Sequence, residues 1–170
     1  MSNNIVLVGP MGAGKTTLGK KLAKYLKRPF IDVDETIQQR LGVTIQTIFD
    51  TEGEAGFRQR ELAILGDILR QYNDAVIATG GGCVLTPDCR KLIVSERLVV
   101  HVDVGLTQQC ERLKYDKKRP ILQGGSLREK LKKLRAERHD IYRSVADMHL
   151  MTDRMSFKKM LLLIEQQLTN

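Results

Sequence analysis

The run Gly9-Pro10-Met11-Gly12-Ala13-Gly14-Lys15-Thr16 satisfies the pattern G-x-x-x-x-G-K-[ST] in full. Its glycines let the backbone curl so that N–H groups face a phosphate. Lys15 reaches the β- and γ-phosphates, and the Thr16 hydroxyl suits Mg²⁺. A helix beginning here points its positive end at the same anion. The flanks agree with that reading. Asn4-Ile5-Val6-Leu7-Val8 is a short apolar run of the kind buried in a parallel sheet. From Thr17 to Leu26 the spacing of Leu18, Leu22, Tyr25 and Leu26 predicts a helix. Strand, loop and helix in that order distinguish a phosphate loop from a Gly-rich turn that happens to hold a lysine.

The same alternation continues along the chain. Phe30–Val33, Ala75–Thr79, Leu98–Val102 and Met148–Met151 read as further strands, with helical patterns between them and an amphipathic helix over Phe157–Leu168. Five short apolar strands joined by helices predict an α/β fold, a parallel sheet covered on both faces. Ligands in such folds sit at the C-terminal ends of the strands. The unusual residues fall at those ends: the phosphate loop, Asp32-Val33-Asp34, Gly80-Gly81-Gly82 and Asp103. Residues 115–125 break periodicity and combine charge, a proline and a glycine pair, the composition of a mobile loop. Ser126-Leu127-Arg128-Glu129 then reads as a capping box that opens a long helix.

Bulk properties narrow the function class. The 170 residues are 42% hydrophobic and 28% charged, enough for one domain with a sizeable core. No run of 18 apolar residues is present, so no membrane span is expected. The start Met1-Ser2-Asn3-Asn4 lacks the basic region of a signal peptide. Cys83, Cys89 and Cys110 have no metal-ligand spacing, and reducing cytoplasm is the expected compartment. The net charge of +8 would suit a nucleic acid, yet aromatic residues make up only 5% and tryptophan is absent. Arginines facing a nucleotide and an anionic substrate account for the charge more economically.

Each polar residue at the strand ends has a functional and a structural reading. Asp32 and Asp34 flank one position, so extended backbone through both would point them to one face. One carboxylate then holds Mg²⁺ through water and the other accepts a proton from an attacking hydroxyl. Alternatively the pair caps the helix that follows. Arg58 lies in a charged helix where Glu52, Glu54 and Glu61 offer it and Arg60 ordinary ion pairs. The three consecutive glycines allow close backbone approach and positive φ, either to present N–H groups to a ligand or to turn sharply. Arg119, before Pro120 in the mobile loop, is placed to neutralise a transferring phosphoryl group or simply to face water. Arg138 sits on a long helix whose surface carries many such side chains. His101 and His149 read as strand residues, and His139 has no acid or nucleophile at a suggestive spacing.

Together these motifs bring the chain close to a known family. It resembles the shikimate kinases over essentially its whole length. The matching segments are residues 9–17, Phe30-Ile31-Asp32-Val33-Asp34, Glu52-Gly53-Glu54-Ala55-Gly56-Phe57-Arg58-Gln59-Arg60-Glu61, Ala78-Thr79-Gly80-Gly81-Gly82, Lys118-Arg119-Pro120-Ile121-Leu122, and Glu137-Arg138 with Tyr142. The phosphate loop alone says only nucleotide enzyme; the Gly-Glu-x-Gly-Phe-Arg-x-x-Glu block with Thr-Gly-Gly-Gly is far more selective.

The resemblance implies a P-loop kinase fold like that of nucleoside monophosphate kinases, three layers α/β/α around a five-stranded parallel sheet in the order 2-3-1-4-5. It implies one domain over residues 1–170, with a lid near 115–125 and a substrate-binding helical segment near 34–62. The implied reaction moves the γ-phosphoryl of MgATP to the 3-hydroxyl of shikimate, giving shikimate 3-phosphate and ADP on the route to chorismate and the aromatic amino acids. By this resemblance Lys15, Asp34 and Arg119 serve catalysis. Gly12, Ala13, Gly14, Lys15, Thr16, Thr17, Arg112, Arg119 and Met155 bind ATP. Asp34, Arg58, Gly80, Gly81 and Arg138 bind shikimate, and Thr16 and Asp32 hold Mg²⁺. A cytoplasmic monomer without nucleic-acid or membrane partners is expected.

The chain departs from the family at two positions. The family often has Ser where this chain has Thr16, which keeps the hydroxyl. It commonly has Arg or Gln where this chain has Met155, beside Arg154. Other kinases of this fold, for gluconate or nucleoside monophosphates, are the competing enzyme reading. A nucleotide-gated or nucleic-acid-binding module is the non-enzymatic one.

Overall fold

A computed structural model describes residues 2–169. Five strands, β1 (Ile5–Val8), β2 (Phe30–Asp32), β3 (Val76–Ala78), β4 (Leu98–Asp103) and β5 (Met148–Met151), form one sheet in the order β2-β3-β1-β4-β5. Every pairing is parallel, with Ile5 opposite both Val76 and Leu98. The fold is thus the α/β/α arrangement with the strand order that the family resemblance implies.

β1 is buried over all four residues because helices cover both faces of the sheet. Successive side chains point to opposite faces, so β1 feeds two cores at once. Val6 and Val8 pack with Ile37, Leu65, Ile68 and Ile93. Ile5 and Leu7 pack with Leu18, Leu22, Leu150 and Ile164 on the other side. Leu22 in α1 (Lys15–Leu26) has no exposed surface, and truncating it to alanine would cost about 2–5 kcal/mol.

The remaining helices are α2 (Val33–Leu41), α3 (Ile45–Gln71), α4 (Pro87–Val94), α5 (Leu106–Leu113), α6 (Leu127–Val145) and α7 (Phe157–Thr169). The long α3 is broken at Gly53, whose φ of 70° and ψ of −176° belong to no helix. Phe49 and Phe57 meet across the break with ring centroids 4.9 Å apart. Ser126 caps α6 by accepting from the Glu129 N–H at 3.4 Å, the first half of the expected capping box. No helix among the described residues is long and apolar enough to cross a membrane.

Two local expectations change. Extended backbone does not run through both aspartates: β2 stops at Asp32 and Val33 already begins α2. Asp32 is the helix cap, its Oδ1 accepting from the Glu35 N–H at 3.1 Å. None of Gly80, Gly81 and Gly82 has a positive φ, so close approach alone explains the triple glycine.

Candidate active site

The phosphate loop connects β1 to α1, and Gly9, Gly12 and Gly14 take positive φ as its curl requires. Neighbouring side chains hold its carbonyls outward. Gln109 Nε2 donates to Met11 O at 2.9 Å. Arg112 Nη1 donates to Gly12 O at 3.0 Å, and Thr152 Oγ1 donates to Ala13 O at 2.6 Å. With these carbonyls tied back, the loop leaves N–H groups for an anion, apart from that of Ala13, which donates to Pro10 O at 3.2 Å. Lys15 is nearly buried and donates to Gly9 O at 2.7 Å and Pro10 O at 3.0 Å. Burial lowers its pKa to about 8; Asp34 and Asp32 partly offset the fall, and Arg119 adds to it.

A cleft of about 470 Å³ opens over this loop at the C-terminal ends of β1, β2 and β3. Lys15, Thr16, Thr17, Asp32 and Asp34 line one part of it; Arg58, Glu61, Gly80, Gly81 and Arg138 line another; Arg119 reaches it from the 115–125 loop. The two aspartates arrive by different elements, one from a strand end and one from the first turn of α2. Thr16 Oγ1 donates to Asp32 Oδ2 at 2.9 Å, so two hard oxygen ligands adjoin the loop. That donor set fits Mg²⁺, which needs only one or two protein oxygens beside phosphate and water. Asp34 Oδ1 is buried with no hydrogen-bond partner. Burial raises the Asp34 pKa, with Asp32 adding to the rise and Lys15, Arg119 and Arg58 opposing it.

Arg58 and Arg138 reach the cleft from α3 and α6. Each has a buried Nε without a partner. Arg58 Nη1 donates to Glu61 Oε2 at 2.7 Å, and Nη2 donates to Glu54 Oε1 at 3.3 Å. Glu61 is completely buried, and its other oxygen has no partner. Burial pushes its carboxyl up to about 7 against the attraction of Arg58.

The glycines make room for these groups. A Cβ on Gly80 would stand 2.7 Å from Asp34 Oδ1 and 2.8 Å from Glu61 Oε1. One on Gly82 would stand 2.1 Å from Arg58 Nη2. The Tyr142 hydroxyl, one turn after Arg138, donates to Gly81 O and ties α6 to the glycine run.

Arg119 pairs with Asp116 inside its own loop. The loop is pinned to the body at Leu122, which packs with Leu113 and Leu131. Three residues expected at the nucleotide, Ala13, Arg112 and Met155, do not line the cleft; the Ala13 side chain is fully buried beneath the phosphate loop. Arg112 lies on the outer side of the phosphate loop. Met155 packs, partly buried, against the core cluster that holds Ile5, Leu7 and Leu22. Conversely, Glu61 and Gly82 contribute more than the sequence reading allowed. Their signals were present: Glu61 follows Arg58 by one helical turn, and Gly82 completes the triplet.

A family model described as shikimate kinase matches residues 11–169. A shikimate kinase from Francisella philomiragia is 47% identical over 157 residues, 92% of this chain and 89% of that protein. Among solved structures, shikimate kinase from Acinetobacter baumannii in complex with shikimate superposes with a TM-score of 0.92 at 38% identity, covering 99% of this chain and 94% of the other. Shikimate kinase from Bacteroides thetaiotaomicron superposes with a TM-score of 0.87 at 32% identity, covering 98% of each chain. The phosphate loop, the aspartates, the paired arginines and the triple glycine stand on the fold that these proteins share, and the chain belongs to the shikimate kinase family.

Proposed function

We propose that this chain transfers the γ-phosphoryl group of MgATP to the 3-hydroxyl of shikimate, releasing ADP and shikimate 3-phosphate for chorismate and aromatic amino-acid synthesis. The family is one of ATP-dependent phosphotransferases. The observation that carries the substrate is the pair Arg58 and Arg138, both opening on the cleft that holds Asp34 and the phosphate loop. Their unpartnered Nε atoms leave donor capacity for an anion, and a guanidinium pairs a carboxylate with two parallel bonds.

The roles follow from the chemistry. The loop N–H groups and Lys15 bind the β- and γ-phosphates. Thr16 and Asp32 hold Mg²⁺, which neutralises phosphate charge when bound. Asp34 orients the 3-hydroxyl and accepts its proton. The carboxylate lies between Arg58 and Arg138, and Gly80 and Gly81 present backbone to the ring hydroxyls. Arg119 meets the transferring group when the loop at 115–125 closes. Arg112 and Met155 are assigned to the adenine end. The chain acts as a cytoplasmic monomer without nucleic-acid or membrane partners.

ADP release measured with ATP and shikimate, shikimate methyl ester or gluconate tests this. Turnover is expected with shikimate and sharply reduced with the ester, which keeps every hydroxyl but not the carboxylate charge. Equal turnover with acid and ester would remove the clamp, and turnover with gluconate alone would replace the substrate.

A further inference from the structure

A cluster outside the cleft plays no part in that reaction. His101 and Asp103 are two residues apart on β4, so their side chains leave the same face of the sheet. α6 lies against that face and brings His139 to them. One ligand atom from each of His101, Asp103 and His139 lies within 4.8 Å of the other two. His139 Nδ1 is 3.7 Å from Asp103 Oδ2. Donors on a tetrahedral ion with bonds of about 2.0–2.1 Å stand roughly 3.4 Å apart, so movements on the order of 1 Å close the set.

The hydrogen bonding leaves ligand atoms free. His101 is only 1% exposed, and its Nε2 has no partner. Its Nδ1 lies 2.8 Å from His149 Nδ1. One hydrogen serves that contact. When His101 donates it, the Nε2 lone pair is left over, and ligating imidazoles are commonly held by donating the other N–H. Asp103 Oδ1 accepts from the Val104 N–H at 2.8 Å and from Arg135 Nη1 at 3.1 Å. Its Oδ2 has only the longer contact to Arg135 Nη2 at 3.5 Å and His139 beyond. Asp103 and His139 also line a cavity of about 10 Å³, room for one water-sized guest. The His139 side chain is 39% exposed, which opens the cluster to solvent.

We propose that His101, Asp103 and His139 form a binding site for a borderline transition-metal ion such as Zn²⁺, separate from Mg²⁺ at Thr16 and Asp32. Two imidazoles and one carboxylate favour such ions, whereas Mg²⁺ takes oxygen ligands. Arg135 competes for the same carboxylate, so the site is held below its full affinity.

The test is titration of metal-free full-length protein with Co²⁺, followed by visible absorption, and with Zn²⁺ by calorimetry. One ion per chain is expected, with the intense visible bands that octahedral aqueous Co²⁺ lacks. His139→Asn, at a half-exposed helix position, should weaken binding about tenfold or more while thermal melting stays unchanged. Arg135→Gln should tighten binding, an effect that stray surface histidines would not produce. Absence of saturable uptake by the wild type, or equal affinity in His139→Asn, overturns the site. Unchanged or weaker binding in Arg135→Gln overturns the place of Asp103 in it.

Discussion

Glu61→Gln isolates the cost of a carboxylate kept wholly out of water. Glu61 has no exposed surface, and burial lifts its carboxyl from 4.5 to about 7 despite Arg58 at 2.7 Å. An acid lifted by folding holds its proton longer in the native chain than in the unfolded one. Between pH 4.5 and about 7 the native state therefore binds more protons, and stability falls as pH rises through that window. A pKa difference of one between the two states is worth ~1.4 kcal/mol. The group thus contributes about 3 kcal/mol that is fully present below its unfolded pKa and gone above roughly pH 7.5. Glutamine keeps the shape and the hydrogen bond to Arg58 but cannot ionise. Urea unfolding of both proteins from about pH 5 to about pH 8.5 reads the difference directly. The gap between the two stability curves should change by about 2–3 kcal/mol over that range, with the variant gaining relative stability as pH rises. Parallel curves would show that Glu61 is not held in its protonated form by burial, and the reasoning would fail.

Three further outcomes are expected. Arg58→Lys and Arg138→Lys should each raise KM for shikimate about 10–100-fold with little change in KM for ATP, since one charged hydrogen bond is worth about 1.5–3 kcal/mol; steady-state kinetics against both substrates decides it. Gly82→Ala should imitate Arg58→Lys in that assay without a large loss of melting temperature: alanine tolerates the local φ of −102°, yet its Cβ would stand 2.1 Å from Arg58 Nη2 and push the guanidinium aside. Lys15→Met should fold normally and lose most of kcat, and near-normal turnover in the folded variant would remove the lysine from the reaction.

The phosphate loop and the alternation of strands and helices were legible because they rest on local signals, whereas the strand order came only with the family resemblance. Five apolar runs of the right length alternate with helical spacing, and one eight-residue motif fixes where the ligand sits. The aspartates were found but their geometry was not. Periodicity does not reveal that the chain leaves the sheet at Asp32, because a capping carboxylate and a strand-end carboxylate look alike in sequence. The reason for the triple glycine was likewise hidden. Its cause is contact of Gly80 with Asp34 and Glu61, of Gly81 with the Met11 backbone and of Gly82 with Arg58, none of which is near in sequence. Glu61 itself looked like an ordinary helical ion-pair partner. Only the packing of α3 against the sheet excludes water from it. The histidines gave no signal at all, since strand register and α6 bring residues 101, 103, 139 and 149 together across long stretches of chain.

The most direct test compares shikimate-dependent ADP release by wild type and Asp34→Asn at saturating MgATP. Asparagine keeps the shape and can hydrogen-bond, but it cannot take the proton from the 3-hydroxyl. The wild type should release ADP only when shikimate is present, and Asp34→Asn should lose about 10²–10⁴-fold in kcat while still binding ATP. Activity of the variant within a few-fold of wild type would leave Asp34 as a residue of the first turn of α2 and contradict the assignment of this cleft.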